Sequence, residues 1–402
     1  MDKKKMWLVA LVALLAVALV LLICVTVVAC NLLLRAEPTE PTTQTEAPTD
    51  APTEAPTDAP TDAPTDPPTD PPTEPPTEAP TDPPGPETVE ITLSFTGDCT
   101  FGRNQKHTYN RSFDAFYDEY GADYFFEKVR HIFEADDITI INLEGTLTTS
   151  DDIQDKMWNH RGSPEYVAIM TGSSVEVATL GNNHTMDYGP SGFEETVQVV
   201  SDAGITYCVD GVYAIYEVKG YKFGFVSVNP LYDGWAVKTW LQEGYDYLRQ
   251  EGCEVVIACM HYGGDKTPVI KNEQIALYHD VIDMGYDLVV GNHPHVLQAI
   301  EIYKGRYIAY SLGNFSYGGN KNPDDKDSGI FQQTFTFVDG QLQYDLNAKF
   351  IPCSLSGQTD RNNYQPVPVE GEEYDRIIQK MSDYCAQFGL MMDSEGRVHE
   401  IP

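Results

Sequence analysis

The sequence predicts an α/β domain built as a sandwich of two mixed sheets covered by helices. Apolar runs typical of strands alternate with amphipathic stretches typical of helices, which indicates parallel β-α-β units. Three pairs of apolar runs also meet at X-Gly dipeptides, which favours antiparallel hairpins at Lys219-Gly220, Lys304-Gly305 and Asp339-Gly340. A plain Rossmann sheet does not use so many hairpins.

The predicted elements follow one another from residue 89 onward. A strand at 89–95 alternates apolar and polar residues, and a β-branched run at 138–144 forms the next strand. A helix at 190–204 begins with proline and serine and ends in glycine, as helices commonly do. Further strands are expected at 175–180, 213–228, 255–263 and 287–295 and in the two later hairpins. Further helices are expected at 122–137, 163–173, 235–251 and 272–285 and from about Glu370.

The first 36 residues predict a membrane anchor. Three lysines precede an uncharged apolar run from Met6 to Cys30, and a run of roughly 20 such residues spans a bilayer as a helix. The positive-inside bias places the N-terminus in the cytoplasm and the remaining chain outside the cell membrane. Alternatively, the small residues before Cys30 form a lipoprotein cleavage site and the chain is anchored at that cysteine. Both interpretations tether an outward-facing protein.

Residues 37–88 repeat a Pro-Thr-Asp/Glu-Ala/Pro pattern and predict a disordered spacer. The segment has almost no apolar side chains to bury, so nothing offsets the entropy of ordering it. Its prolines and like charges favour an extended chain. The globular domain is therefore expected at 89–402, including a C-terminal helical extension.

The composition bounds the partners and the cysteine chemistry. A formal net charge of −35 argues against nucleic acid as a partner and gives no general attraction for a polyanion. An anionic ligand would therefore have to bind at a local cationic site, and a bound metal ion could provide one. The eight cysteines are scattered and include no CxxC pair, so neither a disulfide framework nor a zinc-thiolate site is predicted. Cys99, beside Asp98, is interpreted as a packing residue.

Polar clusters follow five of the predicted strands. They comprise Asp98, then Asn142 with Glu144, then Asn182, Asn183 and His184, then His261, and finally His293 with His295. The carboxyl ends of strands are where open α/β folds gather ligands. Taken singly, each cluster is also explained by a turn, a helix cap or a satisfied histidine. Together they form a mixed nitrogen and oxygen ligand set that suits Mn, Fe or Zn. The number of candidate ligands is too large for one tetrahedral ion and would suit two ions that share a bridging carboxylate.

Six motifs in order, FTGDCTFGR, INLEGTLT, GNNHTMDYG, HYGGD, GNHPHV and SLGNF, resemble the CapA-type poly-γ-glutamate capsule biosynthesis proteins, whose fold is related to the calcineurin-like metallophosphatases. The resemblance covers about residues 89–350 and implies a four-layer α/β/β/α sandwich. It also implies one divalent ion bound by Asp98 and His295, a bridging Glu144, and a second ion bound by Asn183, His261 and His293.

The same resemblance implies roles around the ligands. His184 would protonate a leaving group and Asp187 would orient it. Arg103 would bind substrate anions, and Asn142, Asn182 and Asn314 are further candidates for contacting substrate.

Two positions depart from the metallophosphatase pattern. Thr100 stands where those enzymes usually have a histidine, and Glu144 stands where they usually have an aspartate. The first ion therefore loses a nitrogen ligand, and either one or two ions remain possible.

Three functions remain in competition at the level of sequence. The first is an outward-facing metal-dependent hydrolase or transferase that acts during synthesis or release of an anionic surface polymer. The second is a non-catalytic subunit that binds the polymer within a membrane complex for capsule synthesis and export. The third is a secreted phosphoesterase or nucleotidase, for which no base pocket is visible in the sequence.

Overall fold

The computed structural model describes residues 86–234 and 236–401. The predicted anchor, the alternative lipoprotein site and nearly all of the predicted spacer lie outside these residues. Within them, no helix combines the length and the apolar character that crossing a membrane requires.

The strands form two large mixed sheets and two small ones. In the described part of the chain the strands are β1 (Thr88–Thr100), β2 (Ile138–Leu143), β3 (Thr146–Leu147), β4 (Arg161–Gly162), β5 (Val177–Thr179), β6 (Thr206–Cys208), β7 (Ala214–Val218), β8 (Tyr221–Val228), β9 (Val255–His261), β10 (Leu288–Asn292), β11 (Ile300–Tyr303), β12 (Arg306–Ala309), β13 (Asn314–Tyr317), β14 (Asp327–Val338), β15 (Gln341–Gln343), β16 (Ala348–Ser354), β17 (Val367–Pro368), β18 (Leu390–Met392) and β19 (Val398–Glu400). The nine-stranded sheet has the order β17-β16-β14-β1-β2-β5-β6, with β13 beside β1 and β15 beside β14. The six-stranded sheet has the order β11-β12-β10-β9-β8-β7.

Helices cover the outer faces of both large sheets. Within residues 86–234 and 236–401 the α-helices are Phe113–Tyr120, Arg130–Phe133, Ala168–Thr171, Gly189–Asp202, Pro230–Asp233, Ala236–Gln250, Asn272–Met284 and Gly371–Cys385. Short 3-10 helices occupy Ala122–Tyr124, Pro164–Val167 and Ala386–Phe388. The predicted mixed α/β fold is confirmed.

The nine-stranded sheet buries apolar side chains on both faces. In β2, Ile138 and Ile140 belong to the core shared with the six-stranded sheet. Ile141 and Leu143 belong to a second core with helix residues such as Phe113. Successive side chains of a strand point to opposite faces, so a strand buried on both sides reads as a continuous apolar run. This explains why ITIINL shows no clean alternation.

The six-stranded sheet packs in the same two-sided way. The ring of Phe223 meets the ring of Phe335 on the other sheet, with centroids 5.7 Å apart. The next residue, Gly224, faces the helix Ala236–Gln250, and a Cβ built on it would lie 2.9 Å from Leu248. The layers therefore run helices, sheet, sheet, helices, and each sheet's carboxyl ends are free to form a site.

The three predicted hairpins are present and share one turn geometry. Lys219 and Gly220 have φ values of 52° and 82°, and the dipeptides at 304–305 and 339–340 are likewise left-handed. Two consecutive positive φ angles characterise the type I′ turn that matches the twist of paired strands.

The prediction of one continuous helix at 122–137 was wrong. The segment 122–137 is not one helix, because only Ala122–Tyr124 and Arg130–Phe133 are helical. Phe125 and Phe126 are both fully buried, and two adjacent residues do not share one face of a regular helix. Beyond the predicted C-terminal helix, the chain forms the hairpin β18–β19, which was not predicted from the sequence.

The helix Gly371–Cys385 is tied to the segment that precedes β14. Arg376 donates two hydrogen bonds to Asp327, the Nη1–Oδ2 distance being 2.9 Å. Lys380 Nζ donates to Asp325 at 2.9 Å and to Asp327 at 2.7 Å. Because Asp327 is mostly buried, this charge network fixes the helix against the loop 318–326.

Candidate functional site

Strand register brings the predicted clusters to one place. Asp98 in β1 pairs with Asn142 in β2 and with Asn314 in β13. In the other sheet, Asn292 of β10 pairs with His261 of β9. The carboxyl ends of both sheets therefore converge, and His293 and His295 follow directly after β10.

Asp98, Glu144 and His295 form a compact group of possible metal ligands. One donor atom of each lies within 4.8 Å of the others. His295 Nδ1 is 3.2 Å from Asp98 Oδ2, and His295 Nε2 is 3.6 Å from Glu144 Oε1. Both carboxylates are fully buried, and buried carboxylates require a compensating charge.

The two carboxylate oxygens of Glu144 differ in their contacts. Its Oε2 accepts a hydrogen bond from Thr100 Oγ1 at 3.0 Å, whereas its Oε1 is buried with no hydrogen-bond partner in the described structure. The Nε2 atoms of three imidazoles surround Oε1, at 3.6 Å for His261, 3.6 Å for His295 and 4.0 Å for His184. An unpaired carboxylate oxygen facing imidazole nitrogens is the arrangement that a divalent ion would complete.

His261, Asn183 and His293 extend this ligand set. His261 Nε2 and Asn183 Oδ1 are 2.7 Å apart. The rings of His261 and His293 have centroids 4.9 Å apart, and His293 Nδ1 is buried without a hydrogen-bond partner in the described structure. The structure thus brings together all six residues predicted as ligands.

The backbone around Pro294 is held in an unfavourable conformation. His293 and His295 have φ values of 95° and 57°, which non-glycine residues rarely adopt. Such residues cost on the order of 1–3 kcal/mol each and persist where the surroundings fix them. Here the His293 N–H donates to Asp98 Oδ2 at 3.2 Å, so the strained turn is pinned to the first carboxylate.

The carboxylates and His295 shift one another's proton affinities. Burial would raise the pKa of Asp98, but the hydrogen bond and charge of His295, then His261 and Asn142, lower it to about 2. Burial raises the pKa of Glu144 to about 8, opposed by His295 and assisted by Asp98. Burial would lower the pKa of His295, but Glu144, Asp98 and Asn314 raise it to about 10. Glu144 and His295 therefore favour their protonated forms near neutral pH, and a bound cation would displace those protons.

His184 and Asp187 lie on the turn that follows β5. His184 Nδ1 is 2.7 Å from Asp187 Oδ2, which leaves Nε2 to face Glu144. Burial, then Lys156 and His295, holds the pKa of His184 well below its usual range. Lys156 contacts the Asp187 carboxylate and donates to the Asn183 carbonyl at 2.7 Å. One lysine thus fixes both the histidine's partner and a predicted ligand residue.

A cavity of about 480 Å³ opens beside these groups. His184, His293 and His295 line its floor. Its other walls include Trp158 and His160, Tyr317 at the end of β13, Asn320 in the loop that follows, and Tyr384 from the C-terminal helix. The cavity is large enough for a small organic molecule or one segment of a polymer.

The predicted substrate-binding residues occupy different positions. Asn142 donates to Asp98 Oδ1 at 2.7 Å, and Asn182 donates to the Leu143 carbonyl at 2.8 Å. Asn314 Oδ1 accepts a hydrogen bond from His295 Nδ1 at 2.9 Å, and Asn314 lines the cavity. Arg103 is turned away, because its Nε bonds Asp114 at 2.7 Å and it does not line the cavity.

Sequence reasoning missed Lys156, Trp158 and His160, which belong to an irregular segment before β4. Five of the chain's nine histidines meet in this site, His160 among them. The scarcity of histidine was the one available signal. Cys99, as predicted, packs: burial raises the pKa of its thiol to about 12, and the six cysteines of the described chain are buried and unpaired.

Comparison with known proteins adds the family to this geometry. The model of the family described as bacterial capsule synthesis protein PGA_cap matches residues 92–318. The chain belongs to this family. The resemblance to CapA-type proteins that the six motifs predicted is thereby confirmed.

Two relatives and one solved structure are similar to this PGA_cap member. The capsule biosynthesis protein CapA of Bacillus anthracis is 28% identical over 257 residues, which cover 58% of this chain and 61% of the relative. The PGA biosynthesis protein CapA of Bacillus subtilis (strain 168) is 28% identical over 250 residues, which cover 56% and 63%. The chain therefore spans about three fifths of each relative's length. The calcineurin-like phosphoesterase YfkN from Bacillus subtilis is 16% identical with a TM-score of 0.41, covering 69% of this chain and 95% of that one.

Proposed function

We propose that the chain is a membrane-anchored, outward-facing protein of anionic capsule polymer synthesis, and that it carries a metal-dependent hydrolase or transferase site. Poly-γ-glutamate is the polymer that the family resemblance implies. The observation that carries the catalytic part is Glu144 Oε1, a buried and unpaired carboxylate oxygen facing three imidazole nitrogens.

The residues present fit a divalent cation. Hard oxygens and imidazoles at these separations suit Mn, Fe or Zn, and the unpaired atoms of Glu144 and His293 are left without protein partners in the described structure. Asp98, Glu144 and His295 would hold one ion, while Asn183, His261 and His293 would hold a second. When bound, such an ion lowers the pKa of a coordinated water and polarises the bond to be broken.

The chain's own residues position and move the proton. Asp187 accepts the Nδ1–H of His184, so the Nε2 of the neutral imidazole faces the reacting atoms. Neutral His184 takes a proton from the attacking water or hydroxyl and returns it to the leaving group. Thr100 and Asn142 hold the two carboxylates in place through hydrogen bonds of 3.0 and 2.7 Å.

The anchoring part of the proposal rests on the predicted segments at the N-terminus. The apolar run Met6–Cys30 and the spacer would hold the domain outside the cell membrane, near other membrane subunits of a capsule synthesis complex. Protease digestion of intact cells should remove the domain if it faces outward, and a protected domain would contradict this topology.

The test of the site compares the full-length chain with His184→Asn and Glu144→Gln variants. We expect the parent to contain one or two ions per chain, measured by elemental analysis, and to cleave a γ-glutamyl amide or an ester. His184→Asn should keep the metal and lose turnover, whereas Glu144→Gln should lose both. Unchanged turnover in His184→Asn contradicts the proton-transfer role. Bound metal with no turnover in the parent would favour the polymer-binding subunit of an export complex.

A further inference from the structure

His160 lies beside the proposed proton-transfer pair. Its backbone N–H donates to Asp187 Oδ2 at 2.5 Å, the oxygen that also contacts His184 Nδ1. Its ring lies against the ring of His184, with centroids 4.2 Å apart and planes at 47°. One carboxylate oxygen therefore contacts the backbone of His160 and the ring of His184, and the two rings lie side by side.

The side chain of His160 is buried without satisfying its polar atoms. The residue is 3% exposed, and its Nδ1 has no hydrogen-bond partner in the described structure. Burial, then the neighbouring His184, holds its pKa well below the usual range, so the ring is neutral. Leaving a buried polar atom unpaired costs on the order of 1–3 kcal/mol. Because His160 lines the 480 Å³ cavity, a bound molecule can supply the missing partner.

The surrounding cavity wall is suited to neutral polar groups. Tyr317 lies between two imidazoles, with its ring centroid 6.4 Å from that of His160 and 5.4 Å from that of His295. Burial keeps the Tyr317 hydroxyl protonated, because it raises that group's pKa well above the usual value. Among charged side chains, three aspartates and one lysine line the cavity, at 265, 324, 325 and 266. Such a wall does not attract carboxylates, but it can hydrogen-bond an amide.

We propose that His160 is a substrate-binding residue that hydrogen-bonds an amide group of a γ-linked glutamate chain next to His184. The inference rests on the proposed function for the identity of the polymer. The neutral ring offers one acceptor and one donor, which an amide N–H or C=O complements. The carboxylates of the polymer remain in solvent or face the ligand cluster. Because the cavity mouth is acidic, moderate salt should strengthen binding by screening repulsion.

Calorimetric titration of a short γ-linked glutamate oligomer into the full-length, Mn²⁺-loaded chain tests this. We expect His160→Ala to weaken binding about tenfold, the usual effect of losing one buried hydrogen bond. His160→Gln, which keeps one acceptor and one donor, should retain most of the affinity. His131→Ala is the matched control, because His131 is exposed on the helix Arg130–Phe133, away from this cavity.

Two accompanying measurements make the outcomes distinct. Metal content and unfolding temperature should be equal in parent and His160→Ala, which excludes a folding defect. Equal affinity in parent and His160→Ala overturns the inference, as does a parent that fails to bind the oligomer. Binding that His160→Ala loses, in a protein without turnover, supports the inference while refuting the hydrolase proposal.

Discussion

Replacing Lys156 with methionine should destabilise the protein, because the carboxylate of Asp187 stays buried after its cationic partner is removed. Asp187 is fully buried and Lys156 is 30% exposed, so the change leaves an ionised group in the interior without its cationic lysine contact. Removing one partner of a buried pair costs about 3–5 kcal/mol. The partial exposure of Lys156 and the remaining donors, the His160 N–H and His184, reduce the expected loss to roughly 2 kcal/mol.

Urea unfolding followed by tryptophan fluorescence measures this free energy. Lys238→Met is the matched control, because Lys238 bonds Asp280 at 2.9 Å while both side chains are about half exposed (50% and 49%). Such a surface pair contributes about 0.5 kcal/mol or less. Equal losses in the two variants, or no loss in Lys156→Met, would show that burial of Asp187 does not govern the interaction.

The same variant separates positioning from ligation. Lys156 also holds the Asn183 carbonyl at 2.7 Å, but it contributes no ligand atom. We expect Lys156→Met to retain most of its bound metal, because five of the six proposed ligands have no contact with Lys156 in the described structure. The variant should lose most turnover, because the turn that carries His184 is no longer fixed. Burial raises the pKa of Asp187, and the charge and hydrogen bond of Lys156 oppose that rise. Removal of Lys156 should therefore raise the pKa further and shift the acid limb of the pH profile upward.

Three further predictions concern stability. Burial raises the pKa of Asp136 to about 7, so the free energy of unfolding should fall as pH rises from 3.8 towards 7. Asp136→Asn should reduce this fall by roughly 2 kcal/mol, measured by urea titrations at several pH values. A Cβ on Gly97 would lie 2.2 Å from the Gly313 carbonyl oxygen, so Gly97→Ala should lower the unfolding temperature and the metal content. Gly220→Ala is the control and should keep the metal, because a Cβ on Gly220 would meet no atom within 4 Å. Chelation should lower the unfolding temperature of the parent but not of Glu144→Gln, since an ion that binds only the folded state stabilises it; an equal effect on both would argue against Glu144 as a ligand.

The ligand cluster was predictable because it depends on strand ends. Asp98 and Glu144 follow apolar runs directly, and any parallel arrangement of β1 and β2 brings them to the same edge of the sheet. The hairpins were predictable for an equally local reason, since an X-Gly dipeptide between two apolar runs determines the turn.

The residues that contact Asp187 behind the candidate ligands were not predictable from the sequence pattern. Lys156 and His160 contact Asp187 from an irregular segment about 30 residues earlier, and no periodicity marks such a segment. Arg103 was expected beside substrate from its place after the Gly-Asp motif, but Asp114 and loop carbonyls take its hydrogen bonds. Side-chain direction beyond the end of a strand depends on tertiary contacts that the local sequence does not encode.

The helix Gly371–Cys385 contributes to the cavity wall but carries none of the candidate ligands. Its Tyr384 helps to close the cavity, and Arg376 and Lys380 lock it to the loop on the opposite side. This helix follows the stretch that defines the family, residues 92–318, which contains every candidate ligand. Exchanging this helix would therefore change one part of the cavity wall while every candidate ligand is retained. Most of the remaining wall, His160 included, lies in the same stretch as the ligands.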